Sequence, residues 1–197
     1  MVVYSRGSVP WVCSSKQNSV ADASFAGFEK ISGSLVLGGY DLSKAGTNMS
    51  FGFAPDISRD LTVGLQAVSA TVNGQDLELL PKGIFTFIDS TVPHIWLPIE
   101  ACQQFESAFG LTWDSTANLY LVNDTLHADL LSSNASLTFR IGNTTEGGST
   151  MDINLPYASF DLTVGYPVVA NSSRYFPIIR AANDTQYTLG RTFLQEA

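Results

Sequence analysis

The strongest constraint on this chain is a stretch that reads as one arm of a tight hairpin. Between Leu61 and Val72 the apolar residues Leu61, Val63, Leu65 and Ala67 alternate with their neighbours, as on a strand with one buried face. Asn73-Gly74 follows at once, and both residue types accept the positive φ that a type I′ turn demands. Ile84-Phe85-Thr86-Phe87-Ile88 is then a buried-strand candidate that ends at Asp89. Such a chain is built around a sheet.

The remaining signals agree. Leu35-Val36-Leu37 is a short apolar run closed by Gly38-Gly39, and further strands are expected at 119–122, 137–141, 153–155, 160–164, 176–179 and 187–189. One helix stands out. Pro98 suits a first helical turn, Cys102, Phe105 and Phe109 share a face, and Gly110 suits the position past the end. Residues 1–31 read as an irregular segment, because Ser, Gly, Asn and Lys interrupt every apolar run there. With no internal repeat, low-complexity tract or linker, the expectation is one all-β domain carrying one or two short helices.

Composition bounds what such a domain does. Of 197 residues, 45% are apolar and 14% charged, a globular balance. The net charge of -8 leaves no basic stripe for phosphates, which argues against nucleic acid. Arg6, Gly7 and Pro10 break the opening residues, so these are not a signal peptide, and no run approaches the roughly 18 apolar residues of a membrane helix. Sequons at Asn48, Asn123, Asn134, Asn143, Asn171 and Asn183 nevertheless point to a secreted or cell-surface protein. Cys13 and Cys102 can pair in an oxidising compartment, with each other or with residues elsewhere. Two cysteines and two distant histidines form no zinc spacing, and no P-loop or dinucleotide fingerprint is present, so neither a metal nor a nucleotide cofactor is expected.

Asp89 carries the chemistry. A carboxylate at the end of an apolar strand is costly to bury without partners. It either starts a turn, bonded to nearby backbone N–H groups, or serves as a reactive acid beside Ser90 and Thr91. Flanking segments bear on this choice. Ser32-Gly33-Ser34-Leu35-Val36-Leu37-Gly38-Gly39-Tyr40-Asp41, Phe87-Ile88-Asp89-Ser90, Trp96-Leu97-Pro98 and Tyr187-Thr188-Leu189-Gly190-Arg191-Thr192-Phe193-Leu194 follow one another in that order. Together they resemble the second lobe of pepsin-like aspartic proteases, secreted fungal members in particular, over residues 32–197.

The resemblance implies the pepsin-like acid protease fold, as a single C-terminal lobe that stops before the family's last strands. It implies an aspartic endopeptidase in which Asp89 is one of two catalytic aspartates, Ser90 and Thr91 complete the catalytic loop, and Leu189-Gly190 pack beside it. Peptide or protein would be the substrate. No second motif of this type is present, so the other aspartate would come from a missing N-terminal lobe or a second copy. The chain alone would be inactive, with an exposed apolar face. The departures are Thr91, where the family has a glycine, and Val92, where it has a hydroxyl that braces the two catalytic loops; Pro93 also removes a backbone donor. They leave open an inactive relative acting as a secreted or surface binding module.

Other residues read more plainly. His94 is expected to be structural beside Trp96, His127 to be at the surface, and Trp96, Trp113 and Phe105 to be core. Exposed aromatics such as Tyr120 and Tyr175 would instead suit a glycosylated carbohydrate-binding β-sandwich.

Overall fold

The computed structural model describes residues 2–6, 9–12 and 49–196, with side chains for 49–194. The Ser32 to Asp41 segment, Cys13 and Asn48 lie outside the described residues.

The hairpin forms where its signals stand. Strand β4 (Thr62–Val72) folds back onto β5 (Gln75–Glu78), with Val72 opposite Gln75. Asn73 and Gly74 between them have φ of 52° and 75°, the pair of positive values a type I′ turn needs. Around β4 grows an eight-stranded sheet. On one side lie β10 (Ser136–Gly142) and, beyond it, β11 (Thr150–Pro156). On the other lie in turn β6 (Ile84–Ile88), β15 (Thr188–Leu189), β7 (Ile95–Leu97) and β14 (Ile178–Arg180). The ladder between β4 and β10 shifts register at Arg140/Ile141, a bulge that leaves Gln66 without an opposite number. Its amide Nε2 donates instead to Thr144 O (3.0 Å) and Gly147 O (2.7 Å), tying down the β10–β11 connection.

A second, four-stranded sheet has the order β12 (Leu162–Val164), β13 (Ser173–Phe176), β9 (Leu119–Val122) and β8 (Thr112–Asp114). The run expected as one strand at 176–179 is split by Pro177, which lacks the N–H a ladder needs. The chain changes sheets there, from β13 to β14, and Pro177 O accepts from Ile95 N at 3.0 Å. The strand expected at 160–164 begins only at Leu162, because residues Tyr157–Phe160 close into a 3-10 turn that buries Tyr157 and Phe160.

Helix α1 (Ile99–Phe109) buries Ala101, Cys102, Phe105 and Phe109 and ends at Gly110, whose φ is 66°. Pro98 stands one residue ahead of the first turn, at the cap, where its carbonyl accepts from Cys102 N at 3.0 Å. Two further helices carry weak sequence signals. Helix α2 (Asp124–Ser132) is capped by Asn123, which accepts from Leu126 N at 2.9 Å, and α3 (Arg191–Glu196) follows β15.

Within the stretch read as irregular, β1 (Val2–Arg6) pairs antiparallel with β2 (Val9–Val12) and parallel with β3 (Met49–Phe51). The expectation of an irregular segment fails there, because β1 pairs with its sequence neighbour β2 and also with the distant β3, a partner that no local pattern announces.

Phenylalanines form the centre of the core. Ring centroids run from Phe105 to Phe109 at 5.9 Å, on to Phe176 at 5.3 Å, Phe160 at 5.2 Å, Phe139 at 6.4 Å and Phe193 at 5.3 Å. Each such pair adds about 0.5–1.5 kcal/mol beyond area burial, so α1, both sheets and α3 are welded through one aromatic column.

Candidate active site

The acid at the end of β6 sits in an unusual crossing. Strand β15 runs parallel to β6, with Leu189 opposite Ile88, and antiparallel to β7, with Leu189 opposite Ile95. The segment 89–94 leaves β6, passes over the end of β15 and returns as β7 on its far side. A two-residue strand is thus inserted between two strands that are neighbours in sequence.

Both ends of the loop are pinned. Asp89 N donates to Leu189 O at 3.2 Å. At the other end Arg191 N donates to Val92 O (2.7 Å), and Pro93 O accepts from Thr192 N (3.1 Å) and Thr192 Oγ1 (2.8 Å). Gly190 lies between these clamps. A Cβ there would stand 2.4 Å from Val92 O and 2.2 Å from His94 O, contacts only glycine avoids. Leu189 and Gly190 are fully covered and pack against the loop.

Asp89 is half-buried. Its Oδ1 accepts two hydrogen bonds, from Thr91 N at 2.8 Å and Thr91 Oγ1 at 2.7 Å. Its Oδ2 accepts none among the described residues. Ser90 and Thr91 are exposed. The carboxylate therefore makes the turn contacts that a loop-starting Asp makes, and still presents one oxygen that no donor among the described residues reaches.

The face of the sheet beside Asp89 carries a cross-strand row. Thr62 lies opposite Phe87, Phe87 opposite Thr188, and Thr188 opposite Trp96. A groove of about 260 Å³ at one end is lined by Val92, Trp96, Gln186 and Thr188. A larger one, about 590 Å³, is lined in part by Arg59, Thr62, Lys82, Phe85, Asp184 and Tyr187. The Arg59 guanidinium lies 5.5 Å from the Phe87 ring centre and donates to Tyr187 O at 3.1 Å and to Thr185 O. Sequence reasoning missed this row; the period-2 pattern of β6 was the signal that could have found it.

His94 makes its ring contact with Tyr175 of β13, edge-on at 5.7 Å, rather than with Trp96. Burial, and then the Arg191 charge, hold its imidazole below the ordinary histidine value. His127 is not a surface group: its side chain is 15% exposed, with Nδ1 3.3 Å from Asp161 Oδ1 across the α2 contact with the 157–160 turn. Tyr120, expected on the surface, is fully buried, since Glu106 and Arg180 satisfy its hydroxyl. Phe105 is buried as expected, whereas Trp96 and Trp113 are only partly covered. Cys102 is a buried free thiol with Sγ 3.7 Å from Ile179 O. Asn123, Asn134, Asn143, Asn171 and Asn183 are all exposed.

Among the described residues no three acidic, histidine or cysteine side chains converge as a metal site, and no helix is long and apolar enough to cross a membrane.

No protein-family model and no curated protein matches this chain. Among solved structures, the aspartic proteinase from Irpex lacteus is similar in fold, with a TM-score of 0.54 and 18% identity over 81% of this chain and 45% of that one. The chain thus spans less than half the length of that structure. The mostly β architecture with a few short helices is the pepsin-like acid protease fold.

Proposed function

We propose that this chain is the C-terminal lobe, over residues 32–197, of an aspartic-type endopeptidase, and that Asp89 is one of its two catalytic aspartates. The observation that carries this reading is the Asp89 loop. Asp89 is anchored over a strand crossing by its backbone N–H on Leu189 O, with one carboxylate oxygen holding both Thr91 donors and the other reached by no donor among the described residues.

The chemistry needs a second carboxylate, supplied by an N-terminal lobe or a second copy of the chain. Two adjacent carboxylates do not both ionise readily, so one keeps a proton. The ionised member accepts a proton from water as that water attacks the peptide carbonyl, and the protonated member donates to the carbonyl oxygen. Collapse of the tetrahedral intermediate expels the amine, which takes up a proton. Neither a covalent enzyme intermediate nor a metal enters this sequence. The grooves at the two ends of the Thr62–Phe87–Thr188–Trp96 row, one lined by Thr62 and the other by Thr188 and Trp96, suit side chains of an extended peptide. The exposed sequon asparagines support a secreted or cell-surface protein.

The test is cleavage of denatured globin by the two-lobed protein from about pH 3 to about pH 7, with and without pepstatin. Inhibitable cleavage at acid pH is the expected result.

A second reading, a catalytically silent binding module, is favoured by Thr91-Val92-Pro93, which puts a side chain where the family pattern has glycine, removes its bracing hydroxyl and deletes a backbone donor. A folded two-lobed sample that neither cleaves nor binds pepstatin would select it.

A further inference from the structure

Resting on the endopeptidase reading, we infer that Thr91 is a positioning residue whose hydroxyl and amide together fix the Asp89 carboxylate and make Oδ2 its reacting oxygen. The two donors come from one residue and end on one atom, at 2.8 Å and 2.7 Å. A carboxylate oxygen offers two good in-plane lone pairs. Both lone pairs of Oδ1 are taken, so a proton shared with a second carboxyl, or a water to be activated, has to meet Oδ2.

The loop leaves this task to Thr91. Ser90 makes no bond to the carboxylate, Val92 has no side-chain donor, and Pro93 has no N–H. The carbonyls of Val92 and Pro93 are turned the other way, onto Arg191 and Thr192. A hydroxyl absent at 92 is therefore present one residue earlier, folded back onto the acid of its own loop. The substitution that most weakens the resemblance thus supplies a brace that this loop would otherwise lack. Because Thr91 is exposed, removing its hydroxyl disturbs no packing.

Three variants of the two-lobed protein test this. Thr91→Val keeps the shape and the amide donor but deletes the hydroxyl; Thr91→Ser restores it; Asp89→Asn reports on the endopeptidase reading itself. Loss of one hydrogen bond to a charged group predicts that Thr91→Val lowers kcat about tenfold with KM unchanged, and that Thr91→Ser returns to within about twofold of wild type. Unchanged kcat in Thr91→Val, with Asp89→Asn dead, overturns the inference and leaves the endopeptidase reading standing. A wild type that cleaves nothing sinks that reading, and the brace is then read on the chain itself. At neutral pH the Asp89 side-chain carboxyl carbon resonance should move in Thr91→Val and return in Thr91→Ser. Coincident resonances in all three chains would show that no such brace exists.

Discussion

Gly190 runs so close under the loop after β6 that a Cβ on it would lie 2.2 Å from the carbonyl oxygen of His94. Backbone clamps from Arg191 and Thr192 hold that loop, so it has little room to withdraw. Gly190→Ala should cost about 3 kcal/mol or more, at the upper end of overpacking penalties. Gly74→Ala is the control: φ is 75° there and nothing lies within 4 Å, so only the backbone preference is lost, about 1 kcal/mol. Urea midpoints check both. Equal losses would mean that the loop moves aside.

The Glu106–Tyr120–Arg180 cluster should make stability fall in acid. Arg180 lies 4.8 Å from the Trp113 ring centre and donates to Glu106 Oε1 at 2.6 Å and to Tyr120 Oη at 2.9 Å; Tyr120 also donates to that same carboxylate oxygen at 2.6 Å. Burial pushes the Glu106 carboxyl up, but the bonds from Tyr120 and Arg180 outweigh it and leave it below its ordinary value of 4.5. A carboxyl depressed by folding contributes stability that is complete above the unfolded value and is lost as pH falls through the folded one. Wild type should therefore lose more stability than Glu106→Gln between about pH 6 and about pH 3. Parallel pH curves for the two would refute the cluster's role.

Cys102 should be chemically silent. Burial pushes its thiol up to about 12, so at neutral pH it carries its proton and is a poor nucleophile. In a Cys13→Ser chain, an aromatic disulfide reagent should leave the folded protein untouched and titrate one thiol after denaturation. Rapid reaction in the native state would contradict the packing of α1 on β14.

On the endopeptidase reading, Asp89→Asn should lower cleavage by the two-lobed protein about a thousandfold or more, while leaving its melting temperature nearly unchanged. The amide oxygen can still accept from Thr91, so the loop is kept while Oδ2 and its proton chemistry are lost. Undiminished cleavage would remove Asp89 from the mechanism.

The parts of this fold legible in the sequence are those with short-range causes. Asn73-Gly74 announces the β4–β5 turn through its own backbone preference, and Ile84 to Ile88 announces β6 through composition. Helix α1 shows itself by spacing and by Gly110. Helix α2 is fainter, with only Leu130 buried, and its Asn123 cap reads equally well as a sequon. Tyr120 looked exposed because nothing local says that Glu106, fourteen residues before it, and Arg180, sixty after it, will meet its hydroxyl.

At the candidate site the division is sharper. Sequence by itself determined that a carboxylate ends an apolar strand, that Ser90 and Thr91 follow it, and that a Leu189-Gly190 pair stands far downstream. Tertiary structure decided that β15 is inserted between β6 and β7, that Gly190 closes against Val92 and His94, and that Thr91 turns both donors onto one oxygen of Asp89. The reason is range: a residue's own φ and polarity act within a few positions, whereas a ladder bond or a close approach exists only after distant strands have met.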